Sequence, residues 1–489
     1  MKYFDTQVQI NKYRVLKRVA KMAYDGNLQD AYYTIPKEIS PGPKSTMRCC
    51  VYKERAVLGE RINMAMGGDL TCRSKDGTLN VIQVIEIACD ECPIDKYIVT
   101  EACRGCISHQ CIANCPKEAI TKVGGKAYID HTKCIDCGKC KVSCPFGAII
   151  ETTRPCLTSC KVGAISIDTD KKAKIDNDKC VMCGACVYHC PFGAISDISY
   201  ILDVVNMIKE VEQNKDKHLY AVIAPSIVSQ FKEATVGQII AGIKKLGFHT
   251  VVEAALGADI VLYKEKEEFK EKGEMMTTSC CPSFVMYIEK HFPELAKHIS
   301  HTPSPMVETA KLIKQTDPNC YVVFIGPCTS KKHEFTLEKA GGYVDSVITF
   351  EELKALLGSR EIWLEELEEA TLDDASFYGR IFAKVGGLSQ GLTTLLQEEG
   401  YEKPVKNIVL NGLDECKPAL LKLKFKRMEA DFIEGMACKG GCINGAGCIT
   451  HGEKNVKDVD TFANSAKEKT LDNALNVYDL TYQTKIREK

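Results

Sequence analysis

The chain has 489 residues, 45% of them hydrophobic, with 64 basic against 65 acidic residues and a net charge of −1. That length exceeds what one core supports and predicts about three domains. The balanced charge gives no field toward nucleic acid or an anionic membrane, and no apolar run of about 18 residues is present to span a bilayer. The opening Met1-Lys-Tyr-Phe-Asp-Thr-Gln7 lacks the apolar core of a secretion signal, so a soluble, cytoplasmic protein is expected. Cysteine is the exception in composition: 27 residues, 19 of them before residue 191. In a reducing compartment such a number points to metal ligation rather than disulfides.

Residues 1–80 carry little explicit chemistry. Val15, Leu16, Val19, Ala20 and Ala23 recur with a helical period, and Gly26 supplies a stop. Pro41-Gly-Pro43 reads as a loop. Cys49, Cys50 and Cys72 have no ligand-like spacing and are expected to be buried structural cysteines, with a metal role as the alternative.

Residues 81–198 form the cysteine-dense region. Cys134, Cys137, Cys140 and Cys144-Pro145 follow the bacterial ferredoxin spacing, and so do Cys180, Cys183, Cys186 and Cys190-Pro191. Three thiolates on a tight loop bind three irons of a cubane, while the fourth serves the neighbouring cluster. A half-unit recurs in Cys115-Pro-Lys-Glu-Ala-Ile120, Cys144-Pro-Phe-Gly-Ala-Ile149, Cys160-Lys-Val-Gly-Ala-Ile165 and Cys190-Pro-Phe-Gly-Ala-Ile195. From Cys89 to Cys190 there are 16 cysteines, enough for four cubanes. The spacing predicts one ferredoxin-like unit nested in another. The inner uses Cys103, Cys106 and Cys111 with Cys144, and Cys134, Cys137 and Cys140 with Cys115. The outer uses Cys180, Cys183 and Cys186 with Cys160, and Cys89, Cys92 and Cys156 with Cys190. The last group has an alternative, a degenerate half without a cluster, which leaves three. A row of cubanes reads as an electron wire.

Residues 199–489 change texture. Leu219–Ala224, Tyr321–Ile325 and Asn407–Leu410 are short apolar runs suited to buried parallel strands. Helical stretches Val236–Leu246 and Thr309–Lys314 intervene. The loops that follow the strands, Ala224-Pro-Ser226, Gly326-Pro-Cys328 and Asn411-Gly412, are expected to converge on one crevice. Residues 449–489 read as a polar surface segment with one helix. Three cysteine signals lie in this half: Thr277-Thr-Ser-Cys-Cys-Pro282, Gly326-Pro-Cys-Thr-Ser-Lys-Lys-His-Glu334 and Glu434-Gly-Met-Ala-Cys-Lys-Gly-Gly-Cys442. Together they predict one buried soft-metal site assembled from distant segments.

Those three ordered motifs resemble the catalytic domain of the FeFe-hydrogenases over roughly residues 199–450, with the preceding region similar to that family's accessory domains. The resemblance implies an α/β catalytic domain of two lobes, with short parallel sheets flanked by helices, preceded by α+β ferredoxin-like domains. It also implies an H-cluster, in which one cysteine bridges a cubane to a diiron unit bearing CO, cyanide and an azadithiolate. By position, Cys281, Cys328, Cys438 and Cys442 would hold the cubane, Cys442 being the bridge. Lys331 would hydrogen-bond a cyanide, Met436 would pack by the diiron unit, and Ala224 and Ser226 match the loop around the cyanides. Cys280 resembles the family's proton-relay thiol, with an ordinary thiol pKa suited to both giving and accepting a proton. Glu265, Ser300 and Glu268 would continue the relay, with Lys272 where the family has arginine. The alternative is that Lys264-Glu-Lys-Glu-Glu-Phe-Lys-Glu-Lys272 is a solvated charged face. Gly326, Met306, Phe284 and Cys448 depart from the well-studied members, and the pattern looks more like the group B branch.

The implied activity is 2H⁺ + 2e⁻ ⇌ H₂ in an anaerobic cytoplasm. Its partners would be ferredoxin or a similar one-electron carrier and the maturation proteins that deliver the diiron unit, with no nucleic acid and no membrane. Two other readings stay open: a hydrogen sensor with the same cofactor, and a Nar1-like iron–sulfur assembly protein without a diiron unit. Cys280, Lys331 and Met436 argue against the latter.

Overall fold

The computed structural model describes residues 3–476. Its first helix, Gln7–Asp25, follows from local sequence. Thr6 and Gln9 form a capping box, and Gly26 closes the helix at φ 78°, a left-handed conformation cheap for glycine. The stripe Val15, Leu16, Val19 and Ala20 is fully buried, in one cluster with Leu353, Leu356 and Leu357. The first 80 residues therefore share a core with the α/β region instead of standing apart from it.

The expectation of buried cysteines at Cys49, Cys50 and Cys72 does not hold: the first two are exposed and the third half-buried. Cys50 caps the helix Val51–Ala65, its sulfur accepting from the Lys53 amide at 3.4 Å, while Cys72 Sγ faces Asp69 at 3.7 Å. Helix-cap and turn positions face water, and here they override the usual preference of cysteine for the interior.

Residues 81–198 show the nesting in their strand pairing. Tyr97–Val99 pairs antiparallel with Ile149–Glu151 and encloses the hairpin of Ile120–Val123 and Lys126–Ile129. Outside it, Ile82–Val84 pairs antiparallel with Ile195–Asp197 and encloses the hairpin of Ile165–Ile167 and Ala173–Ile175. The repeated alanine has a structural reason. In all four copies its amide donates to the half-unit's cysteine sulfur, from Ala119, Ala148, Ala164 and Ala194 at 3.2–3.3 Å. The residue before it is left-handed in every copy, so glycine serves in three and Glu118 takes φ 48° in the first.

Beyond residue 199 two parallel sheets form. One runs Thr250–Glu253, His218–Ile223, Cys320–Gly326, Ser346–Thr349, and the other Met276–Thr277, Phe432–Met436, Asn407–Asn411. Helices Val236–Lys245 and Pro305–Thr316 lie where the periodicity places them. Residues 449–476 differ from the expected surface segment. Helices Lys454–Asn464 and Leu471–Asn476 are present, Ile449, Val459 and Ala463 are buried, and Gln230 Oε1 accepts the amides of Ile449 and Thr450. The rest of that segment, 477–489, lies outside the described residues. Among the described residues no helix is long and apolar enough to cross a membrane.

Candidate metal centres

Five parallel strands deliver their carboxyl ends to one cavity of about 880 Å³, open solvent at its mouth included. Ala224 and Pro225 follow the first strand, Ala254 and Ala255 the second, and Pro327 and Cys328 the third. Cys280 and Cys281 come from the fourth, with Met436, Ala437 and Cys438 from the fifth. This is where open parallel sheets collect ligands. The Asn411-Gly412 loop, expected to converge there, does not line the cavity. Asn411 Oδ1 instead accepts the Gly440 amide at 2.6 Å and steadies the turn that carries Cys438 and Cys442. Gly441 in that turn has φ 96°, and a Cβ there would sit 2.8 Å from the Ala383 carbonyl, so only glycine fits.

Cys281, Cys328, Cys438 and Cys442 all line this cavity. Burial, with Cys328 and the other thiols adding to it, pushes Cys281 and Cys438 up and Cys442 up to about 12. Such a set needs a cationic core to exist as thiolates. It is too open for a lone ion: among the described residues no three His, Cys, Asp or Glu side chains are close enough to share one. Small residues, Ala224, Ala254, Ala255, Ala258 and Gly379, leave room on the opposite wall. Lys331 brings an ammonium to the cavity; burial works to lower its pKa, but Glu334, at 2.5 Å, raises it, so the charge is kept. Ser226, expected beside Ala224, does not line the cavity, though its Oγ is buried with no hydrogen-bond partner; Met436, 2% exposed, does line it. Soft donors, a cation and space fit an anion-bearing iron–sulfur group.

Cys280 lines the same cavity, and burial together with Glu265 pushes its thiol well up, contrary to the ordinary pKa expected of it. Glu265 is fully buried, accepts weakly from the Ser279 amide and hydroxyl at 3.4 Å, and leaves Oε2 without a partner. Burial first, then Glu268, lifts its carboxyl to about 8. Glu268 is the opposite case. Burial would raise it, but Lys272 at 2.6 Å, Ser300 Oγ at 2.7 Å and His301 hold it at about 2. The charge run is therefore no solvated face at Glu265 and Lys266, both buried. His301 was not singled out by the sequence; no spacing joins it to a helix 33 residues away.

Four further cysteine groups form in the nested region. Cys103, Cys106, Cys111 and Cys144 line one pocket, and Cys115, Cys134, Cys137 and Cys140 another. Cys156 is pushed up to about 11 by burial and by its neighbours Cys190, Cys89 and Cys92. Cys160, Cys180 and Cys183 crowd Cys186 in the same way. Cys89 Sγ accepts the Ala173 amide at 3.3 Å as Cys103 accepts that of Ala127 at 3.4 Å, so the two open equivalent groups. Cys183 also lines the central cavity, which puts its group beside the central one.

The departures also have places. A Cβ on Gly326 would lie 2.4 Å from the Phe324 ring, which lines the cavity in its stead. Phe284 is buried over Gly435, and Met306 lines the cavity. Cys448 points away, its sulfur 3.4 Å from the Ile443 carbonyl. Cys320 and Cys416 are buried outside these groups.

Residues 217–446 match the family described as iron only hydrogenase large subunit, C-terminal domain, and residues 126–149 and 173–196 each match a 4Fe-4S binding domain. Iron hydrogenase 1 of Clostridium pasteurianum is 31% identical over 387 residues, 68% of this chain and 66% of that protein. The chain thus spans just under two thirds of that relative's length. Cytosolic Fe-S cluster assembly factor NAR1 of Kluyveromyces lactis is 42% identical over 97 residues, 20% of this chain and 21% of that one. An apo FeFe-hydrogenase structure from Chlamydomonas reinhardtii is 21% identical with a TM-score of 0.46, covering 56% of this chain and 94% of that one.

Proposed function

The chain belongs to the iron-only hydrogenase family, and from that premise we propose that it catalyses 2H⁺ + 2e⁻ ⇌ H₂ in an anaerobic cytoplasm. One arrangement carries the reading: a buried free thiol, Cys280, and a buried ammonium, Lys331, face the same cavity as four converging cysteines. When bound, an H-cluster would supply the redox chemistry and the open site for hydrogen, and Cys281, Cys328, Cys438 and Cys442 would hold it. Lys331 offers a fixed donor to an anionic ligand, with Glu334 locking its ammonium in place. Met436 and Phe324 add apolar surface to the cavity wall.

Cys280 keeps its proton because burial disfavours the thiolate, so it serves as donor at the cavity wall. Glu265, titrating near about 8, is matched to refill it at neutral pH. Ser300 and Glu268 extend the hydrogen-bonded path toward His301 at the surface. The four accessory cysteine groups would hold cubanes that pass electrons from a ferredoxin or similar carrier, with the Cys183 group last before the centre. Maturation proteins would have to deliver the diiron unit.

The short, strong match to an assembly factor favours a second reading, a protein that holds cubanes alone. Infrared spectra of the matured protein separate the two, because CO and cyanide bands exclude the assembly role. Measured H₂ turnover then separates an enzyme from a sensor.

A further inference from the structure

A second cavity, of about 910 Å³ with its mouth, shares Pro282 as a wall with the central one. Its character differs. Eight of its fifteen lining residues are polar, and its volume is many times the roughly 30 Å³ of one water, so it has the room and the polarity that ordered water needs. Its inner wall carries Ser279, whose hydroxyl donates to the Thr302 carbonyl at 2.5 Å and lies 3.4 Å from Glu265, and Ser300 and Thr302, which contact Glu268. Its outer wall carries the exposed ion pair Lys339–Glu289. Ser304 Oγ on its wall is 2% exposed and has no hydrogen-bond partner, and neither has Glu265 Oε2. Orphan polar atoms of this kind are usually satisfied by ordered water.

We propose that this cavity is a side entrance through which water carries protons from the Lys339–Glu289 mouth to Ser279 and so to Glu265, without passage through Glu268. The inference rests on the relay reading of Cys280 and Glu265. In each passage a proton enters from bulk water, moves along hydrogen-bonded waters, and adds to the Glu265 carboxylate; nothing else is consumed. The outer route has a physical handicap. Glu268, held at about 2 by Lys272, Ser300 and His301, stays ionised at neutral pH and so seldom carries a proton.

The test uses the full chain loaded with cubanes but lacking a diiron unit, so that it does not depend on turnover. Hydrogen–deuterium exchange at the Cys280 S–H stretch is followed by infrared difference against Cys280→Ser. Filling the cavity with Ala296→Phe should slow that exchange at least about tenfold; if this variant fails to load iron, Ser304→Leu serves instead. Exchange at the wild-type rate in a filled variant overturns the side entrance. Glu265→Gln should slow exchange as well. Should it not, the relay through Glu265 fails, and the side entrance with it, whereas a slow Glu265→Gln beside a fast Ala296→Phe sinks the side entrance alone.

Discussion

At the scale of single residues, the chemistry concentrates on two groups whose burial sets their protonation. Cys280→Ser should lower H₂ turnover by about two orders of magnitude or more with cubane content unchanged, since a hydroxyl does not replace a thiol as a proton carrier. Turnover and iron, measured on one preparation, check this. Glu265 also ties stability to pH. Its folded pKa of about 8 lies above the unfolded value of 4.5, so the folded state holds a proton that the unfolded state releases between those limits. Wild type therefore loses stability as pH rises from about 4.5 to 8, on the order of a few kcal/mol. Glu265→Gln should melt higher than wild type at pH 9 and equally at pH 4, as calorimetry at equal iron loading will record. Cys280 was legible in the sequence because a Cys-Cys pair offers one thiol more than ligation needs. Its raised pKa was not, because burial is a property of the finished cavity.

Secondary-structure elements were legible where their chemistry is periodic. Cysteine spacing and the alanine that follows each half-unit announce four loops of one kind, and the sulfur-to-amide bonds at Ala119, Ala148, Ala164 and Ala194 explain the repeat. Strands such as Met276–Thr277 and Ser346–Thr349 escape because so few residues carry no pattern; neighbours in the sheet define them. Gly184 was equally silent. It has φ 73°, and a Cβ there would lie 2.3 Å from Ala446 and 2.6 Å from Thr329, where the outer unit meets the α/β region. Gly184→Ala should push these surfaces apart and slow carrier-driven turnover while iron content holds. Stopped-flow reduction of the central group is the measurement. Cys156→Ala should remove one cubane's worth of iron and leave the rest. If iron stays constant, the group of Cys89, Cys92, Cys156 and Cys190 holds no cluster.

Across the whole molecule, one buried ionic network joins three regions. Lys332, fully buried, meets Asp197 at 2.7 Å and Glu352 at 2.9 Å, while Lys12 meets Asp197 at 2.5 Å and Glu351 at 2.7 Å. Burial alone would raise the Asp197 carboxyl, but Lys12 and Lys332 hold it well below the usual range. Lys332→Ala would leave the buried Glu352 carboxylate without its lysine and Asp197 with Lys12 alone, and should destabilise the protein by about 3–5 kcal/mol, read as a lower urea midpoint. The sequence shows Lys332 only as the second of two lysines. Residues so far apart along the chain reveal their pairing only after folding.

The strand pairing of the nested region has a further consequence. The inner unit leaves and rejoins the outer one at a single doorway, where Thr152 donates its amide to the Lys96 carbonyl at 2.7 Å. Its two ends being neighbours, the insert behaves as a cassette: a short bridge from residue 95 to 152 would excise two cysteine groups without unthreading anything else. If the nested region conducts electrons as proposed, its reach would be adjustable in whole stages, and lengthening or trimming it need not disturb the chamber it serves.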